Sequence, residues 1–139
     1  MDRPTRILSV TLTALLMAGA TVSAQDLAQD APRTFTISPG DRFTEKSGEA
    51  LYNASCAGCH MPDGRGAQGA GHYPALADNP AVGAAPYTIV NVLHGRNAMP
   101  SFGDAMNDDQ VAAVVNYTRT HFGNRFSGSV TPSEVRSLR

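Results

Sequence analysis

Apolar and polar positions along this chain alternate between short stretches of helical spacing and long segments rich in glycine and proline. The first apolar stretch, Ile7 to Ala20, follows Arg3 and Arg6 and precedes Val22-Ser23-Ala24. A short basic head, an apolar body and a small-x-small end describe an export signal cleaved before Gln25. A buried helix or an uncleaved anchor is the competing reading. Ser9, Thr11 and Thr13 interrupt the stretch, and a spanning helix needs about 20 mostly apolar residues. Residues 1–24 are therefore expected to be a signal peptide. Residues 25–42, polar and broken by Pro32, Pro39 and Gly40, are expected to be a flexible lead-in to one domain over 43–139.

Within that domain the spacing predicts four helices. The first starts near Thr44 or after Ser47 and runs to about Cys56, with Gly48, Leu51, Tyr52 and Ser55 on its inner face. Residues 61–83 hold Gly64, Gly66, Gly69, Gly71, Pro74 and Pro80 and read as a long loop in need of something to wrap around. A helix then begins at Pro86, carries Tyr87 to Leu93 and ends at Gly95. The best-marked helix spans Asp108 to His121. Asn107 and Gln110 have the spacing of a capping box, and Val111, Val114, Val115, Thr118 and Phe122 form the inward stripe. Thr131-Pro132-Ser133-Glu134 signals a last short helix. Few segments alternate as strands do, so the expected class is all-α.

Charge narrows the partners. The sequence has 11 Lys and Arg against 12 Asp and Glu; losing Asp2, Arg3 and Arg6 with the signal leaves nine against eleven, net −2. Nothing in that balance points to nucleic acid or a membrane surface. No cysteine lies beside the cleavage site, which argues against a lipid anchor.

The chemistry concentrates in Cys56-Ala57-Gly58-Cys59-His60, which uses the only two cysteines in the chain. Two thiols at this spacing can add across the vinyl groups of one haem, and the adjacent imidazole can then coordinate the iron. A thioredoxin-like dithiol would need a βαβ setting, and a structural zinc site a second ligand pair; neither is visible. The opposite axial position is open to Met61, Met99, Met106, His72, His94 and His121. Met61 adjoins the proximal ligand and cannot reach the other face, and Met106 reads as a core residue before the capped helix. Met99 lies in a loop stiffened by Pro100, although a gap-filling methionine would look the same. His72 sits in the glycine-rich loop, while His94 and His121 end helices where a cation suits the dipole. Arg65 and Arg96 are available to neutralise haem propionates, or are simply solvated.

The order helix, Cys-x-x-Cys-His, glycine-rich loop, Pro-x-Leu, helix, Gly, Met-Pro, capped helix resembles a class I cytochrome c domain over residues 44–123. That resemblance implies a cytochrome c fold wrapped around one haem c joined to Cys56 and Cys59. It implies His60 as the proximal ligand and Met99 as the second. It also implies that the Pro74 carbonyl orients the imidazole, that Leu76 packs on the ring, and that Gly48 and Tyr52 cross Val114 and Tyr117 between the first and last long helices. Residues 114–124, with Val130, Val135 and Leu138-Arg139, are similar to haem domains in the cytochrome subunits of periplasmic alcohol, aldehyde and sugar-acid dehydrogenases. Those subunits often carry three haem domains; this chain has one attachment motif.

The expected function is a periplasmic one-electron shuttle, monomeric or a loosely bound subunit. It would take electrons from a periplasmic dehydrogenase and pass them to a terminal oxidase or another cytochrome. A permanently bound dehydrogenase subunit is one alternative, and a haem peroxidase or gas-binding cytochrome another. The chain itself is expected not to be an enzyme, for it holds no dinucleotide, flavin or quinone motif.

Overall fold

The fold begins at a cap. In the computed structural model, which describes residues 42–69 and 71–139, the Ser47 hydroxyl accepts from the Ala50 N–H at 3.2 Å and opens α1 (Gly48–Leu51). The expected signal segment 1–24 and all but the last residue of the lead-in lie outside the described residues.

The first helix does not stop at Cys56 as its spacing suggested. A π-helical turn, Tyr52–Cys56, carries it into α2 (Ala57–His60). Ser55 supplies a reason: its hydroxyl donates to the Leu51 carbonyl at 2.6 Å, and such back-bonding loosens the regular ladder. The Ala57 N–H then reaches the Tyr52 carbonyl, the five-residue spacing of a π-turn. Both cysteines and His60 therefore ride on one continuous helical run.

After the loop comes a 3-10 turn, Pro80–Gly83, which the glycine and proline content had hidden inside that loop. The Asn79 side chain caps it by accepting from the Ala81 N–H at 2.9 Å. Next, α3 (Ala85–His94) holds Pro86 in its first turn, one residue later than expected, and ends at Gly95 with φ 73°. The Asn107–Gln110 capping box opens α4 (Asp108–Thr120), and the Thr131–Glu134 box opens α5 (Pro132–Leu138). Among the described residues there is no strand, only the isolated bridges Gln68–His72 and Arg96–Met99. None of these helices is long and apolar enough to cross a membrane.

Leu51, Tyr52, Ile89, Leu93, Met106, Val111, Val114, Val115 and Val135 are fully buried and draw α1, α3, α4 and α5 into one core. Each apolar side chain of this kind contributes about 1.5–3 kcal/mol by leaving water. The crossing of α1 over α4 is where the packing is tightest. A Cβ on Gly48 would lie 2.6 Å from the Tyr117 Cβ and against the Ala113 carbonyl, so Ala113, rather than the expected Val114, meets the glycine. Val114 is buried in the core instead. Phe122 is also displaced from its expected place on the α4 stripe. The helix ends at Thr120, and Phe122, at φ 59°, folds its ring back to 4.7 Å from that of Tyr52.

Candidate functional site

The helical run positions the two thiols. Cys56 and Cys59 are both free and half-buried, at the end of the π-turn and within α2. Burial pushes the Cys56 thiol up to about 11, against a smaller opposing pull from the Ser55 hydroxyl 3.3 Å away. A thiol at that value is protonated at neutral pH and lacks the thiolate with which redox dithiols attack. Among the described residues there is no strand, so the βαβ setting of a thioredoxin-like dithiol is not found there. Among the described residues there is no group of three or more His, Cys, Asp or Glu placed to hold a metal.

His60 is only 7% exposed, and its ring is held. Nδ1 lies 2.9 Å from the Pro74 carbonyl oxygen; a carbonyl can only accept, so the ring donates from Nδ1. That fixes the tautomer and leaves the Nε2 lone pair available to a metal, the arrangement that orients a ligating imidazole and raises its basicity. Gly66 makes the approach possible. Its φ is +75°, and a Cβ there would lie 2.9 Å from the Pro74 carbonyl carbon. The Gly66 N–H also donates to the His60 carbonyl at 2.9 Å, and Tyr73 N–H to Ala67 at 2.9 Å, folding the loop back over α2. Two residues on, Leu76 is half-buried; its N–H donates to the Gly64 carbonyl at 2.7 Å.

Met99 is half-buried in a two-residue turn closed by Arg96 N–H to Met99 carbonyl at 3.0 Å and the reciprocal bond at 2.9 Å. Pro100 follows directly. Cys56, Leu76 and Met99 all pack against the same buried cluster. The other axial candidates are engaged elsewhere. Met106 is buried in the core, and Met61, at φ 63°, follows His60 directly. His72 is exposed in its bridge with Gln68. The exposed His94 has Nε2 3.1 Å from the Leu138 carbonyl, and the exposed His121 stacks 4.0 Å from the Tyr117 ring. Arg65 is 81% exposed beside Asp63. Arg96 lies over the exposed Tyr87 ring, 5.5 Å from its centroid, and donates to the Tyr87 hydroxyl.

Two residues support the site through partners the sequence reading did not name. The buried Tyr52 hydroxyl donates to the Met61 carbonyl at 2.7 Å, pinning the chain just past His60; burial holds that phenol well above its ordinary pKa. Its helical spacing marked Tyr52 as inward-facing but could not name the acceptor. Asn124, also buried, accepts from Asn79 N–H at 3.1 Å and donates to the Leu76 and Thr118 carbonyls, each at 2.8 Å. An asparagine after a glycine at a helix end reads as a local cap, so nothing in the sequence signalled its reach to residues 76 and 79.

A haem fits these residues. Two unpaired thiols at the attachment spacing, an imidazole held by one nitrogen with the other available, and a thioether presented by a stiff turn beside apolar surface are the donors it requires.

The sequence profile of the family described as Cytochrome C oxidase, cbb3-type, subunit III, matches residues 44–117. The cytochrome c subunit of alcohol dehydrogenase (quinone) from Gluconacetobacter polyoxogenes is 35% identical over 121 residues, which cover 78% of this chain and 25% of the relative. The fructose dehydrogenase cytochrome subunit of Gluconobacter japonicus is 34% identical over 66% of this chain and 22% of its own length. The chain thus spans about a quarter of these dehydrogenase subunits. Cytochrome c-552 of Thermus thermophilus is 31% identical over 126 residues, covering 76% of this chain and 82% of the relative.

Proposed function

Since the chain belongs to the family described as Cytochrome C oxidase, cbb3-type, subunit III, we propose that it is a covalent haem c protein of electron transfer, a one-electron shuttle whose iron is held between His60 and Met99. Bound haem c supplies the one-electron exchange between ferric and ferrous iron. The chain supplies the rest: Cys56 and Cys59 attach the group, the Pro74 carbonyl aims the imidazole, Leu76 covers the ring, and the Arg96–Met99 turn presents the thioether. The observation that supports the reading most is the 2.9 Å contact of His60 Nδ1 with the Pro74 carbonyl, which orients a buried imidazole as an iron ligand would need to be oriented. With His60 and Met99 both held to the iron, no ligand position would be left for a substrate, which favours electron transfer, and pairing methionine with histidine would raise the potential. A haem peroxidase or gas-binding role is disfavoured for the same reason.

The visible spectrum and midpoint potential of Met99→Ala test the assignment. The variant is expected to lose the methionine-to-iron charge-transfer band and fall in potential; an unchanged spectrum and potential would refute it.

The donor is proposed to be a dehydrogenase of the alcohol or sugar class named by the relatives, and the acceptor a terminal oxidase or another cytochrome. Residues 1–24 are proposed to export the chain to the periplasm. Net charge near zero predicts weak steering and rapid docking through a small interface. The similarity to dehydrogenase subunits favours one second reading, a permanently bound subunit; co-purification with a large catalytic chain that survives high salt would establish it in place of the free carrier.

A further inference from the structure

We propose that α5, acting through Arg139, is a strap that holds shut the loop presenting Met99, so that Arg139 is a positioning residue for the second iron ligand. This rests on the reading of Met99 given above.

The loop from Gly95 to Asn107 has no helix of its own, and its hydrogen bonds can be followed along its length. At the front, Arg96 and Met99 close the turn. In the middle, Phe102 N–H donates to the Val92 carbonyl at 2.9 Å and Gly103 N–H to Leu93 at 3.1 Å. These are the carbonyls that the end of α3 leaves without helical partners. The chain then turns, with Met106 N–H donating to the Phe102 carbonyl at 2.8 Å. The Gly103 and Met106 carbonyls are both taken by one guanidinium. Arg139 donates from one terminal nitrogen to Gly103 and from the other, at 3.0 Å, to Met106. Its Nε donates to Asp108 Oδ1 at 2.9 Å, at the first residue of α4. A rigid planar fork serves three acceptors in three directions here, which an ammonium on a flexible stem does not reproduce.

The strap is anchored. Val135 is fully buried, Leu138 is half-buried, and the Leu138 carbonyl meets His94 Nε2 at 3.1 Å at the end of α3. The fold also contains its own control. Arg136 donates to the other oxygen of Asp108 at 3.0 Å, so it shares the carboxylate and the charge. Yet, among the described residues, its side chain makes no hydrogen bond to the loop, and it is 76% exposed against 34% for Arg139.

A thioether is a weak ligand, so an external base competes with it whenever the loop opens. The apparent affinity of that base scales with the open fraction. Imidazole titration of the ferric haem-loaded protein, followed at the methionine charge-transfer band, therefore reads the strap directly. Arg139→Gln is expected to bind imidazole about tenfold more tightly, the loss of about one charge-assisted hydrogen bond. Arg136→Gln should stay within about twofold of wild type, since an exposed pair contributes little. Amide hydrogen exchange at Gly103 and Met106 should accelerate by a similar factor in Arg139→Gln alone, while Val114 and Val115 in α4 keep their rates. Equal imidazole affinities for the two arginine variants would overturn the proposal. So would an Arg139→Gln protein in which α4 and loop amides accelerate together, because the residue would then support the whole fold rather than the loop. If Met99→Ala titrates like wild type, the ligand assignment fails by itself, and the exchange comparison still decides whether the strap exists.

Discussion

Gly48→Ala adds a single methyl group at the closest approach of two helices, and its cost can be worked from the structure. The new Cβ would sit 2.6 Å from the Tyr117 Cβ and 2.9 Å from the Ala113 carbonyl carbon, where ordinary contact begins near 3.4 Å. None of these neighbours can rotate away, because they are backbone or Cβ atoms. Either α1 moves off α4 by most of an ångström or both helices deform. Forcing a methyl into a packed contact costs about 1–3 kcal/mol, and removing glycine from a helix returns about 0.5–1 kcal/mol. The expected net loss is therefore about 1–2 kcal/mol. In a domain of this size that corresponds to a fall in Tm of roughly 5–15 °C. Thermal unfolding of the haem-loaded protein, followed by far-ultraviolet circular dichroism, measures it. Near-ultraviolet dichroism should change as well, since the Tyr52 and Tyr117 rings, 5.6 Å apart, report on the same crossing. A variant that melts at or above the wild-type temperature would refute the reasoning, because helix propensity would then outweigh the contact.

Other substitutions probe the supports of the site. Tyr52→Phe removes the donor to the Met61 carbonyl and should lower the urea unfolding free energy by about 1–2 kcal/mol. Asn124→Ala breaks bonds to Asn79, Leu76 and Thr118 and should lose about 2–4 kcal/mol in the same assay; a loss below half a kcal/mol would show that Asn124 is not the link between loop and helix. Gly66→Ala forces a side chain into a left-handed backbone against Pro74. A cost of about 1–2 kcal/mol is expected from the backbone alone, together with a shifted His60 ring resonance. For pH, hydrogen bonds from Arg136 and then Arg139 hold the Asp108 carboxyl below its ordinary value. A depressed folded pKa stabilises above the unfolded value and is lost as pH falls through the folded one. Wild type should exceed Asp108→Asn in stability near pH 6, with the gap closing below about pH 4; a gap that persisted into strong acid would contradict this.

The chemistry was legible because it is local. Cys56, Cys59 and His60 are consecutive enough for their spacing alone to state what they can attach. The capping boxes at Asn107 and Thr131 are four-residue signals whose hydrogen bonds close on themselves. The helical stripe of α4 was visible for the same reason, as far as Thr118. What the residues could not announce is what a side chain reaches after the chain has folded back. Ser55 opening a π-turn, Phe122 leaving its stripe for Tyr52, Asn124 spanning to Leu76, and Arg139 gripping Gly103 and Met106 all pair groups distant in sequence or balanced between competing partners.

The sequence by itself determined the helical class, the single attachment motif and the residues with ligand chemistry, because periodicity, caps and motif spacing are properties of a few neighbouring positions. Only the tertiary structure decided which glycine admits the Pro74 carbonyl to His60, which asparagine reaches Leu76, and which arginine reaches the Gly103 and Met106 carbonyls. Those pairings depend on backbone paths that meet only once the core has closed, and no local pattern carries that distance.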